Sequence, residues 1–295
     1  MKKSTIYNIC GALLLLVTIG DAVIFPNCAN AVAPGEVRFI NEATDTTKIT
    51  TLLIDAWNGG LNKKPDKIAL IGEKLVGTPY LAGTLDSLPE RLTVNMDGMD
   101  CTTFVETVVA MALTLDERRT SWHDFVFNLE RLRYRNGAVN GYGSRLHYVS
   151  DWAIDNSHRG ILQEVTDRAG NAAWEVKTLD FMTRNKDKYP ALSDDEELEK
   201  IKNAEIGYRS HRFPYIKSRN VAAANLRGGD IVAITTKTPG LDVQHMGIVV
   251  MKEGVAHLMH ASSKAGKVIV DPLPLSEYLR RNRSATGIRV FRLRE

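Results

Sequence analysis

Cysteine is scarce in this 295-residue chain: three occur, and two of them, Cys10 and Cys28, lie within the first 31 residues. The remaining Cys101 can close no disulfide with a partner beyond that point, which excludes a disulfide-stapled scaffold. An excess of one charge sign is also missing. Lys plus Arg number 38 against 35 Asp plus Glu, a net charge of +3, too even for a protein built around nucleic acid. Long apolar runs are absent as well. The stretch Ile9–Ile19 is too short to span a bilayer. No internal repeat or low-complexity linker interrupts the chain. With 44% hydrophobic and 25% charged residues, the composition is that of an ordinary globular protein.

The N-terminus has the layout of a leader: Lys2 and Lys3, the apolar Ile9–Ile19 stretch, then Ala29-Asn30-Ala31 as a small-x-small cleavage site. We therefore expect a signal peptide over residues 1–31, a single domain over 32–295, export to the periplasm, and no stable membrane insertion once the leader is removed. Lipid attachment at Cys28 is the less favoured alternative, because Phe25-Pro26-Asn27 precedes it in place of small residues. In an oxidising compartment an unpaired thiol is a liability unless it is buried or used.

Residues 32–43 show no clear period. Ile49, Leu52, Leu53 and Trp57 then recur at helical spacing up to Gly59-Gly60, and Pro65 opens a second helix with Ile68, Ile71, Leu75 and Val76 as its stripe. Residues 80–98 read as loop with one short strand. A core helix is predicted over 100–115 and others near 122–132, 150–156 and 193–206. The last ninety residues predict strands at 231–235, 243–251, 255–261, 267–270 and 287–293. Helices first and strands later indicate an α+β fold with an antiparallel sheet.

Asp100 is a candidate N-cap, which puts Cys101 at or near a helix start. Unpaired N–H groups and the helix dipole there favour thiolate over thiol and could hold an oxyanion. A cysteine nucleophile needs a base. Of the seven histidines, His123, His158 and His211 sit in polar or charged surroundings, whereas His245 begins the apolar run His245–Val250. His257 and His260 follow on the next strand. A two-residue loop at Glu253-Gly254 would place His260 on the face of His245; a three-residue loop with a bulge would place His257 there. Because His257 and His260 have opposite strand parity, they could not share a metal without a bulge, and no cofactor is expected.

The ordered motifs Asp100–Glu106, His245–Val250 and Met259–Ser262 resemble the NlpC-type papain-like cysteine hydrolases of bacterial peptidoglycan. With Gly77–Leu85, Gly141–Tyr148 and Ser150–Trp152 they resemble more narrowly the N-acetylmuramoyl-L-alanine amidase-like branch. The resemblance runs from about Leu70 to the end. It implies a papain-like fold with the nucleophile at the N-terminus of a core helix, Cys101 as nucleophile, His245 as base and His260 as the orienting residue. It implies substrate contacts from Tyr80, Asp100, Thr102, Arg145, His147, Tyr148 and Asp151. Arg145 is the leading candidate to clamp a stem-peptide carboxylate; Arg133 and Arg135 are better read as surface charges. Thr102-Thr103 stands where the wider superfamily has Ser-Gly. The implied partner is a muropeptide and the implied reaction is cleavage of the N-acetylmuramoyl-L-alanine amide in peptidoglycan turnover or recycling. The alternatives are an endopeptidase cutting within the stem peptide and a non-catalytic muropeptide-binding protein.

Overall fold

In the computed structural model, which describes residues 37–60 and 63–294, the helical half precedes the sheet as the periodicity predicts. The expected leader lies outside the described residues. Two short parallel strands, β1 (Val37–Phe39) and β2 (Leu92–Val94), accompany α1 (Glu42–Asn58) and α2 (Lys64–Lys74). The core helix α3 (Cys101–Asp116) follows, then α4 (Trp122–Arg133) and α5 (Val149–His158). A mixed stretch holds β3 (Leu162–Glu164), α6 (Thr166–Ala169), β4 (Ala172–Val176), α7 (Phe181–Arg184), α8 (Asp195–Gly207) and β5 (Arg212–Lys217). The chain closes with β6 (Ile231–Thr236), β7 (Val243–Lys252), β8 (Val255–Ser262), β9 (Lys267–Pro274), α9 (Leu275–Arg281) and β10 (Ala285–Leu293).

The main sheet runs β4-β5-β10-β6-β7-β8-β9, with β3 also pairing β10, and every pairing is antiparallel. The fold is thus mixed α and β on an antiparallel sheet. Strands β6 and β8 are buried over most of their length and β7 over one half of its own. One face of this central part receives α3, whose residues from Thr103 to Leu115 are almost all buried. Phe104, Val105, Val108 and Met111 pack there with Met246, Ile248 and Met259 in one apolar cluster. A helix buried on most of its circumference is expected to read as apolar nearly all round, and this one does.

The β7–β8 turn takes the two-residue form. Glu253 and Gly254 have φ of 50° and 80°, the pair of positive values that a type I′ hairpin demands. Partners run from Lys252↔Val255 to Ile248↔Met259, and this register puts His260, not His257, beside His245. Gly247 is needed for a close approach: a Cβ there would stand 2.7 Å from Leu258 Cδ1 and 2.8 Å from the Met259 carbonyl. Residues 37–43 hold more structure than their pattern suggests, since they include β1 and the start of α1, which Asn41 caps. Trp57 and Val76 belong to no buried stripe; both are exposed.

Candidate active site

Asp100 caps α3 through a reciprocal box. Its carboxylate accepts from Thr103 N–H at 2.8 Å and Thr103 Oγ1 accepts from Asp100 N–H at 2.9 Å. Cys101 is therefore the first helical residue, and it is partly exposed. The backbone N–H of Met246, the residue after His245, lies close enough to its sulfur to favour the charged form. That contact joins the helix start to β7. His245 Nε2 lies 2.6 Å from His260 Nδ1, with the rings at 87°. His257 is turned away, its Nδ1 3.0 Å from the Asp271 carbonyl.

Burial decides the protonation of this group. It pushes the Cys101 thiol up to about 11, with the Asp100 carboxylate adding to the rise; the Met246 N–H, the Thr102 hydroxyl and its own backbone N–H pull the other way. The helix start pulls toward thiolate as expected, but a helix terminus contributes roughly 0.3–1 kcal/mol, less than desolvation takes from a charged sulfur. Burial, then the neighbouring His260, lowers His245 to about 3, and burial lowers His260 to about 4. At neutral pH the resting site is a neutral thiol beside a neutral imidazole pair.

Tyr80 is tied beside the thiol by its backbone. Its N–H donates to the Gly266 carbonyl at 2.9 Å and the next N–H, of Leu81, donates to the Met99 carbonyl at 3.1 Å. Burial raises its phenol, and the Cys101 and Asp100 charges add to the rise. Thr102 Oγ1 is 4.0 Å from the Cys101 sulfur. Tyr80, Asp100 and Thr102 thus gather around Cys101, His245 and His260.

The 145–152 segment is committed elsewhere. The Arg145 guanidinium lies over the Tyr142 ring at 4.7 Å, 3.1 Å from Asp86 and 3.5 Å from Glu90. The guanidinium is buried, with the exposed Asp86 on one side and the buried Glu90 side chain on the other. His147 Nε2 meets the Tyr142 carbonyl at 2.9 Å, and burial with the nearby Arg145 charge holds its imidazole well below the usual range. Tyr148 donates to Glu205 and accepts from Met182 N–H. Asp151 pairs with Arg135 and accepts from Tyr208. The surface reading of Arg133 is corrected, while Arg135 stays about one-third exposed in its pair with Asp151. Arg133 is buried on Glu106 at 2.6 Å and on the Thr93 carbonyl at 2.7 Å, because an arginine at the end of α4 faces a carboxylate in the core of α3.

An open cleft of about 770 Å³ lies over the histidines, lined by Gln244, His245, His260, Asp271 and Tyr278, with Lys237, Lys264, Arg281 and Arg283 also on its walls. Gln244, Asp271 and Tyr278 were not legible as site residues. Strand alternation would send Gln244 away from His245, but Ile234 pairs with His245 and Thr235 with Val243, so Gln244 is the extra residue of a bulge. Both side chains consequently reach the cleft. Tyr278 comes from α9, its ring edge-on to His260 at 5.5 Å. Among the described residues no helix is long and apolar enough to cross a membrane.

Comparison with known proteins gives a consistent outline. A family model of N-acetylmuramoyl-L-alanine amidase-like proteins matches residues 70–288. No curated protein sequence matches the chain. Among solved structures, an N-acetylmuramoyl-L-alanine amidase from Bacteroides uniformis is similar at 38% identity and a TM-score of 0.75, over 79% of this chain and 100% of that one. A Bacteroides fragilis chain named as a candidate xylanase is similar at 40% identity and a TM-score of 0.68, over 75% of this chain and 98% of that one. A Legionella pneumophila protein shares the fold at 21% identity and a TM-score of 0.65, over 86% of this chain and 97% of that one.

Proposed function

Since the chain belongs to the N-acetylmuramoyl-L-alanine amidase-like family, we propose that it is a cysteine hydrolase of peptidoglycan fragments with an NlpC-type, papain-like arrangement. It cleaves the amide between N-acetylmuramic acid and the L-alanine of the stem peptide, in cell-wall turnover or recycling after export to the periplasm. The observation that carries this is the 2.6 Å His245–His260 ring contact on the strands beside Cys101, with the Met246 backbone next to His245 acting on the sulfur.

Because thiol and imidazole are both neutral at rest, the proton leaves the sulfur as it attacks the carbonyl carbon, and His245 takes it. The imidazolium then protonates the leaving amine of L-alanine. A water deprotonated by His245 attacks the thioester, releases the muramoyl carboxylate and returns the proton to sulfur. The Cys101 and Thr102 backbone N–H groups, which the Asp100 cap does not engage, are available at the start of α3 to hold the oxyanion. Tyr80, Asp100 and Thr102 shape the site around the thiol, and the lysines and arginines of the cleft wall attract the carboxylates of a stem peptide.

Glycoside hydrolysis, the chemistry suggested by the candidate xylanase name, uses a pair of carboxylates flanking the bond. Of the two carboxylates near the histidines and thiol, Asp100 caps α3 through Thr103 N–H and Asp271 faces His260, so neither is placed as such a pair and the amide is the better-supported target. Mass spectrometry of a defined muropeptide incubated with the protein should show release of an intact peptide beginning with L-alanine, and Cys101→Ala should abolish it. Turnover retained by Cys101→Ala would remove cysteine catalysis; cleavage after the second stem residue would make the protein an endopeptidase.

A further inference from the structure

Strand β9 leaves its ladder beside the histidine pair. Its pairing with β8 passes from Met259↔Val270 to His257↔Pro274, so Asp271, Pro272 and Leu273 stand opposite Leu258 alone. An irregularity of this kind re-aims side chains. This one is anchored twice: His257 Nδ1 lies 3.0 Å from the Asp271 carbonyl, and Leu273 N–H donates to Asp271 Oδ1 at 2.9 Å. The second bond leaves Oδ2 facing His260 Nε2 at 3.7 Å, with the Asp271 side chain 13% exposed and that of His260 2% exposed. His260 Nε2 is buried without a hydrogen-bond partner.

We propose that Asp271 is a positioning residue that sets the tautomers of His260 and His245, a role that rests on the cysteine-hydrolase reading above. A single proton lies between His245 Nε2 and His260 Nδ1. Held on His245, it leaves His245 Nδ1 bare to receive the thiol proton and requires His260 to carry its own proton on Nε2, facing Asp271. Held on His260, it puts a bare Nε2 lone pair against the carboxylate and leaves His245 protonated on Nδ1, unable to act as base. The Asp271 charge favours the first arrangement and disfavours the second. It also lies on the far side of His260 from the imidazolium that forms during attack, so it stabilises that charge through the intervening ring. A shift of roughly 0.7 Å brings the His260–Asp271 pair, 3.7 Å apart, to hydrogen-bond distance, and catalytic contacts that are long in the free enzyme tighten when substrate binds.

Nitrogen-15 NMR of the wild-type histidines tests the assignment without any substitution: His260 should carry its proton on Nε2 and His245 on its own Nε2. Asp271→Asn, which keeps the shape and introduces a donor, should mix these tautomers and lower kcat about 10- to 100-fold on a defined muropeptide, with KM within twofold. A wild-type His260 protonated on Nδ1, a kcat within twofold of wild type, or a loss carried by KM would each overturn the proposal. The two readings fail separately. Activity retained by Cys101→Ala removes the cysteine mechanism, whereas an inactive Cys101→Ala together with an Nδ1-protonated His260 removes only the role of Asp271.

Discussion

At its first turn α3 carries Cys101, partly exposed beside His245 and His260 and held neutral with them, whereas about one and a half turns further on it carries Glu106, ion-paired with the buried Arg133. Burial acts on both ends and the residues answer differently. Cysteine and histidine escape the cost of a buried charge by changing protonation, the thiol rising and the imidazoles falling. Arginine cannot lose its proton, so Arg133 holds a carboxylate and a carbonyl about it, even though burial raises the Glu106 carboxyl. One end stores proton-transfer capacity and the other stores rigidity. The Arg145, Glu90 and Tyr134 contacts extend the rigid end.

Removing the counter-charge breaks the comparison most sharply. Glu106→Ala leaves the Arg133 charge buried and unpaired and should cost about 3–5 kcal/mol, measured by urea denaturation; Cys101→Ala should change stability by less than about 1 kcal/mol while losing all turnover. Equal losses in the two variants would mean that the thiol is part of the scaffold.

A pH series sharpens the comparison at the other end. The unfolded histidines take up protons below their ordinary value of 6.5, while folded His260 and His245 stay neutral to about 4 and about 3. The unfolded state therefore binds more protons in that window, and stability falls as pH drops through it, by about 1.4 kcal/mol per pH unit for each histidine. His245→Gln should flatten the profile between pH 6.5 and 4 relative to wild type in the same denaturation assay. A parallel profile would mean that His245 is protonated in the folded protein.

The smallest effect belongs to Arg135→Gln. Its guanidinium is about one-third exposed while the paired Asp151 is buried and also bonded to Tyr208, so the loss should be about 1 kcal/mol with kcat unchanged. A large fall in kcat would tie this pair to substrate after all.

Much of the helical half was legible because its signals are local. The Asp100 cap, the apolar breadth of α3 and the Gly59 stop act over three or four residues. The β7–β8 register was open between His257 and His260, since Glu-Gly is compatible with either turn length; the φ angles of Glu253 and Gly254 close it. Gln244 and Asp271 escaped the reading for a shared reason. Each owes its direction to a break in strand pairing, and alternation counted along one strand carries no record of what its neighbour does.

The sequence by itself determined the order of helices and strands, the helix start at Cys101 and the apolar strand that holds His245, because capping, periodicity and turn residues are written in neighbouring positions. Only the tertiary structure decided which histidine meets His245, which side chains reach the cleft, and that thiol and imidazole rest neutral. Those outcomes depend on desolvation and on groups tens to hundreds of residues away in the chain, and such distances leave no mark on a local pattern.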